Sequence, residues 1–102
     1  ESLMPEDADD VARKIADDFR NRRVEKGLTR SAISEKSGVA LANITRFEQK
    51  GLISLKNLIE IAIALGYTSE IKNIFSEPKY STMEELLQIR KNRGKKKANG
   101  KS

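Results

Sequence analysis

Residues 29–49 read TRSAISEKSGVALANITRFEQ, and this stretch decides the fold class of the chain. Ile33, Val39, Ile44 and Phe47, with Leu28 just ahead of them, supply apolar positions at helical spacing, and Ser37-Gly38 interrupts the pattern between two runs. Thr29 is placed to cap a first helix from Arg30 to about Ser37. A second helix starts at Ala40 or Leu41 and ends at Gln49 or Lys50, with Gly51 as its left-handed stop. Its inward positions are Ile44 and Phe47.

Working outward toward the N-terminus, the spacing of Val11, Ile15, Ala16, Phe19 and Arg23 puts them on one face of a preceding helix. That helix begins near Asp9 or Asp10, where an acid caps the N-terminus and suits the helix dipole, and Gly27 ends it. Residues 1–9 are polar and acidic, contain Pro5, and read as a loose leader.

Toward the C-terminus, Ser54 caps SLKNLIEIAIALG, the strongest helical pattern in the chain. Leu55, Leu58, Ile61, Ala62 and Leu65 form its expected buried stripe. Ile59 and Ile63 add a second stripe, leaving the helix apolar around more than half its circumference and in need of a partner surface. Gly66 ends it. A fifth helix capped by Thr68 or Ser69 turns Ile71, Ile74 and Phe75 inward, and Glu77-Pro78 breaks it. Ser81 with Glu84, or Thr82 with Glu85, has capping-box spacing for a short sixth helix to about Asn92, with Met83, Leu86, Leu87 and Ile89 as apolar contacts. RKNRGKKKANGKS has no apolar anchor and reads as disordered until it meets a polyanion or an acidic partner.

The organisation is therefore an acidic leader at 1–9, a helical domain at 10–77 with the two-helix unit at 29–50, a helical extension at 78–93 and a basic tail at 94–102. With 102 residues there is room for one small core. The five aromatics and the lack of alternating β-branched runs point to an all-α fold. The absence of cysteine and histidine removes disulfides, thiolate chemistry and the commonest metal ligands and general bases. The chain therefore reads as a protein that is not an enzyme and needs no cofactor or metal. No apolar run approaches the roughly 20 residues that span a bilayer, and a cytoplasmic location is expected.

The net charge of +5 is unevenly spread. Residues 1–18 carry seven acids against two bases, residues 90–102 carry seven bases and no acid, and residues 19–89 carry eleven bases against eight acids. An acidic arm, a basic body and a basic tail follow. Two short helices joined by a glycine turn, the second with a polar outer face, form the unit that lays one helix in the DNA major groove.

RRVEKGLTRSAISEKSGVALANITRFEQKG, followed by SLKNLIEIAIALG, resembles the Cro/cI/Xre type of helix-turn-helix regulator over roughly Ile15 to Phe75. The resemblance implies a five-helix, lambda repressor-like DNA-binding domain, here with a short C-terminal helix and a basic tail. It maps the family's buried ion pair onto Arg23 and Glu48. Base contacts fall on Leu41, Ala42, Asn43, Thr45 and Arg46. Phosphate contacts fall on Arg30, where the family has a glutamine touching the backbone, and on Lys50, Lys56 and Asn57.

The sequence departs from the family pattern at Ala40, Leu41 and Ala42, where polar residues are usual. Apolar side chains contact a thymine methyl but cannot bond a base edge, so direct readout rests on Arg46 and Asn43. FSEPKYSTMEELLQIRKNR is similar to the C-terminal extension of HipB-type antitoxins, whose partners are HipA-type kinases.

These features imply a dimeric repressor on a palindromic double-stranded operator, acting as antitoxin or autoregulator of a HipA-type toxin operon. Ile59, Ile63, Met83, Leu86 and Leu87 are the surface for a second copy or a partner. The alternative is a protein-binding module that neutralises a partner enzyme, with DNA binding secondary. RNA binding by the basic tail has less support, because no aromatic residue lies near the tail to stack on bases.

Overall fold

The computed structural model describes residues 6–99, with side chains described as far as residue 94. Six helices follow one another: α1 (Ala8–Glu25), α2 (Arg30–Ser37), α3 (Leu41–Lys50), α4 (Leu55–Leu65), α5 (Thr68–Lys72) and α6 (Met83–Asn99). No strand occurs among the described residues. The chain divides into two compact units between Ile71 and Lys72.

In the first unit α1 packs against α3, and α2 packs against both α3 and α4. The shared core is Ala16 and Phe19 from α1, Ile33 from α2, Val39 from the turn, Ile44 and Phe47 from α3, and Ile61 and Leu65 from α4. Phe19 meets Phe47 edge to face, with ring centroids 5.6 Å apart. Phe47, Ile33, Ile44 and Ile61 are the largest fully buried side chains, and each contributes about 1.5–3 kcal/mol by leaving water. Lys26 Nζ donates to the carbonyl of Leu65 at 2.8 Å, joining the C-terminal ends of α1 and α4.

Local chemistry sets the helix ends. Thr29 Oγ1 accepts from the Ala32 amide at 2.9 Å, and Ser54 Oγ from the Asn57 amide at 3.2 Å. Between α2 and α3, Gly38 adopts φ +78°. Its amide donates to the Ser34 carbonyl at 2.9 Å. Ser34 Oγ then donates to the Val39 carbonyl at 2.7 Å, and the Val39 amide donates to Ser37 Oγ at 3.1 Å, which fixes the turn. Gly51, at φ +72°, is constrained twice over: a Cβ there would lie 3.2 Å from the carbonyl carbon of Ala12 in α1.

Several elements differ from the sequence expectation. α1 starts at Ala8, earlier than Asp9 or Asp10, because Asp7 is the cap: its carboxylate accepts from the Asp10 amide at 2.9 Å, and that of Asp10 accepts from the Asp7 amide at 3.3 Å. Ala8 and Asp9, assigned to the leader, are therefore helical; residues 1–5 lie outside the described residues. Val11 and Ile15 are exposed, and burial on α1 begins only at Ala16. Leu55, the first residue of α4, is exposed as well, while Leu58 is half-buried and Ile61, Ala62 and Leu65 are buried.

α5 is only five residues long and buries none of them. Ile74 and Phe75, expected to face inward, follow its end and are exposed, with Phe75 98% accessible at φ +66°. Five residues are too few to set a helical face that carries three apolar side chains inward.

In the second unit Thr82 Oγ1 accepts from the Glu85 amide at 3.0 Å, and the Glu85 carboxylate accepts from the Ser81 amide at 2.8 Å. The return bond of the expected Thr82/Glu85 box thus falls one residue earlier, on Ser81. α6 then continues past the expected end at Asn92 to Asn99, through residues 94–99 of the segment read as a disordered tail. Lysine and arginine are good helix formers, and at a helix C-terminus their charge suits the dipole, so no apolar anchor is needed to extend the helix locally. Residues 100–102 lie outside the described residues.

Candidate nucleic-acid interface

α3 is amphipathic in a definite way. Ile44, Phe47 and Glu48 face inward and are buried, whereas Leu41, Ala42, Asn43, Arg46, Gln49 and Lys50 are exposed and Thr45 is half-buried. Four of the five residues assigned to base contact therefore share an open face, with Thr45 at its margin. No side chain caps α3, since residue 40 is alanine. Leu41 is 44% accessible. Arg46 and Lys50 make no salt bridge among the described residues.

A buried charge cluster holds this helix to its neighbours. Arg23 Nε and a terminal guanidinium nitrogen donate to the two oxygens of Glu48 at 2.7 and 2.8 Å. The remaining terminal nitrogen of Arg23 donates to the Leu28 carbonyl at 2.9 Å. Arg30 Nε, at the start of α2, donates to Glu48 Oε1 at 2.9 Å. Burial alone would raise the pKa of the Glu48 carboxyl; the hydrogen bonds and positive charge of Arg23 and Arg30 outweigh it and hold that pKa below the ordinary carboxylate value. Glu48 therefore stays ionised, and α1, α2 and α3 meet at one carboxylate.

The phosphate-contact candidates are in different states. Arg30 is tied to Glu48 on one edge, with its side chain 34% accessible. Lys50 is exposed. Lys56 is exposed and reaches Glu60 only at 3.9 Å, a loose surface pair of little energetic weight. Asn57 is half-buried at the N-terminus of α4, with its backbone N–H donating to Ser54 Oγ.

Of the apolar surface assigned to a second copy or partner, Ile59 is half-buried and Ile63 exposed on α4, in the first unit. On α6, in the second, Met83 and Leu87 are exposed and Leu86 half-buried.

The bond between Arg30 and Glu48 was not legible in the sequence. The two residues are 18 apart, and no local spacing links them. The only signal was an arginine where the family pattern has an uncharged glutamine. Among the described residues no group of acidic side chains is placed to hold a metal ion, and no helix is long and apolar enough to cross a membrane.

An open face on α3, steadied by α2 and by a buried ion pair to α1, defines a helix-turn-helix domain of the DNA-binding kind. The family model described as helix-turn-helix matches residues 19–72, and the chain belongs to this family of Cro/C1-type DNA-binding, non-catalytic domains. The protein is thus a DNA-binding transcriptional regulator. No curated protein matches the chain.

Proposed function

We propose that the protein is a dimeric repressor that reads a palindromic operator with α3 and regulates its own operon as the antitoxin of a HipA-type kinase. The observation that carries the DNA-reading part is the exposed Arg46, which makes no salt bridge among the described residues, one helical turn from Asn43 on the open face of α3. Arginine donates to guanine O6 and N7, and asparagine to and from adenine N7 and N6. Leu41 and Ala42 suit thymine methyl groups, Thr45 lines the margin, and sequence-dependent DNA shape supplies the rest. Arg30, Lys50, Lys56 and Asn57 hold phosphates on either side.

A second copy pairs through Ile59 and Ile63 in the first unit and through Met83, Leu86 and Leu87 in the second, and a two-fold dimer of this kind reads half-sites about one helical turn of DNA apart, about 34 Å. The similarity of residues 75–93 to the extension of HipB-type antitoxins supports the kinase as partner. Selection from a randomised duplex pool tests this reading: it yields an inverted repeat with half-site centres one turn apart. A pool without enrichment contradicts it.

The second reading, a partner-neutralising module with DNA binding secondary, is favoured by the exposure of Leu41 next to Ala42 at the start of α3. Co-purification with a kinase from the native host, lost on deletion of residues 78–102, together with no binding to duplex DNA, is the result that would select it.

A further inference from the structure

Glu48 is a shared carboxylate, and the sharing is unequal. Arg23 uses all three of its nitrogens, two on Glu48 and one on the Leu28 carbonyl, so each of them is bonded inside the fold. Arg30 uses only Nε, on Glu48 Oε1. Its two terminal nitrogens have no hydrogen-bond partner among the described residues, and its side chain is one-third accessible while that of Glu48 is 1% accessible. Two guanidiniums on one carboxylate leave the cluster with one net positive charge. That charge lies at the N-terminal residue of α2, in the element that packs beside α3.

The guanidinium is a planar fork with two edges. Holding one edge on a buried acceptor fixes the plane and direction of the other, at no further entropy cost when a ligand arrives. We infer that Glu48 is a positioning residue: through Nε it holds Arg30 so that the two terminal nitrogens meet one DNA phosphate in bidentate fashion. The same carboxylate binds Arg23, so the register between the phosphate clamp and the base-reading face of α3 is set by the core.

Lysine at position 30 is a point donor on a flexible stem and cannot hold both Glu48 and a phosphate in this way. The inference rests on the reading of the chain as a DNA-binding protein.

The test is a double-mutant cycle with mixed-sequence duplex DNA, read by fluorescence anisotropy across a salt series, with each variant's folded fraction measured by circular dichroism. Arg30→Ala lowers the salt slope by about 0.9, one phosphate contact, and weakens binding about tenfold. Glu48→Gln weakens binding about tenfold in the wild-type background but less than about twofold when residue 30 is already alanine. Arg30→Lys keeps the charge and the salt slope yet loses about as much affinity as Glu48→Gln; it leaves the Arg23–Glu48 pair intact and serves where Glu48→Gln does not fold. Equal losses from Glu48→Gln in both backgrounds, or wild-type affinity for Arg30→Lys, overturn the positioning role while leaving DNA binding in place. A wild-type protein that does not bind duplex DNA at low salt overturns both.

Discussion

Arg23 and Glu48 form a two-point ion pair, at 2.7 and 2.8 Å, between α1 and α3, with both side chains withdrawn from solvent. Removing Glu48 strands the buried Arg23 without its counter-charge, and removing Arg23 leaves the buried Glu48 with only the partly exposed Arg30. Arg23→Ala and Glu48→Ala are each expected to cost about 3–5 kcal/mol in urea-unfolding experiments. Arg30→Ala, which removes the more exposed arm of the cluster, is expected to cost no more than about 1 kcal/mol. A joint replacement of Arg23 and Glu48 by Met and Leu should recover much of the loss, because a packed apolar pair avoids the desolvation of two charges.

The cluster also sets an acid sensitivity. The Glu48 carboxyl has its pKa below the ordinary value in the folded chain, so its contribution to stability is fully present above the ordinary value, about 4.3. It is lost as pH falls through the lower, folded-state value, since the unfolded chain then binds the proton more readily. The stability gap between wild type and Glu48→Gln should therefore be widest near neutral pH and narrow on acidification below about pH 4. Urea melts of the two proteins at pH 7 and pH 3 measure it; a gap that widens in acid contradicts the assignment.

Gly51 and Gly38 both sit at positive φ, but only Gly51 faces another helix. Gly38→Ala should cost about 1 kcal/mol for the left-handed backbone alone. Gly51→Ala should cost more, since its Cβ would lie 3.2 Å from backbone of α1. Thermal melts of the two variants order them.

The hydrophobic core makes a sharp internal contrast. Ile44→Ala removes a fully buried side chain and is expected to cost about 2–5 kcal/mol. Leu55→Ala, on a residue 68% accessible, is expected to stay within about 0.5 kcal/mol. Equal effects would place the core elsewhere.

The parts of this fold that were legible in the sequence are those written in local spacing. Thr29 and Ser54 cap through bonds to the third residue onward, Gly38 and Gly51 end helices where the pattern stops, and Ile33, Ile44 and Phe47 recur at helical intervals. Sequence and structure part where local signals are degenerate. In the acidic run before α1 any of several aspartates could cap, and only Asp7 has its reciprocal partner in place. Leu55 fits the apolar stripe of α4 but lies at its open end. Ile74 and Phe75 have the composition of buried residues, yet the chain has already left α5. The basic C-terminal segment lacks apolar anchors, and that lack is silent about helix propensity. At the candidate interface, the open face of α3 follows from periodicity, whereas the link from Glu48 to Arg30 is a product of tertiary packing.

We propose that the open face of α3 reads DNA bases through Arg46. The direct measurement compares wild type, Arg46→Ala and Lys50→Ala on the selected duplex and on single-base variants of it, at matched salt. Arg46→Ala should lose about 1–3 kcal/mol of discrimination at one base pair per half-site while retaining it elsewhere, and Lys50→Ala should weaken all duplexes alike and lower the salt slope by about 0.9. If Arg46→Ala retains wild-type discrimination at every position, α3 is not the reading helix and the account fails.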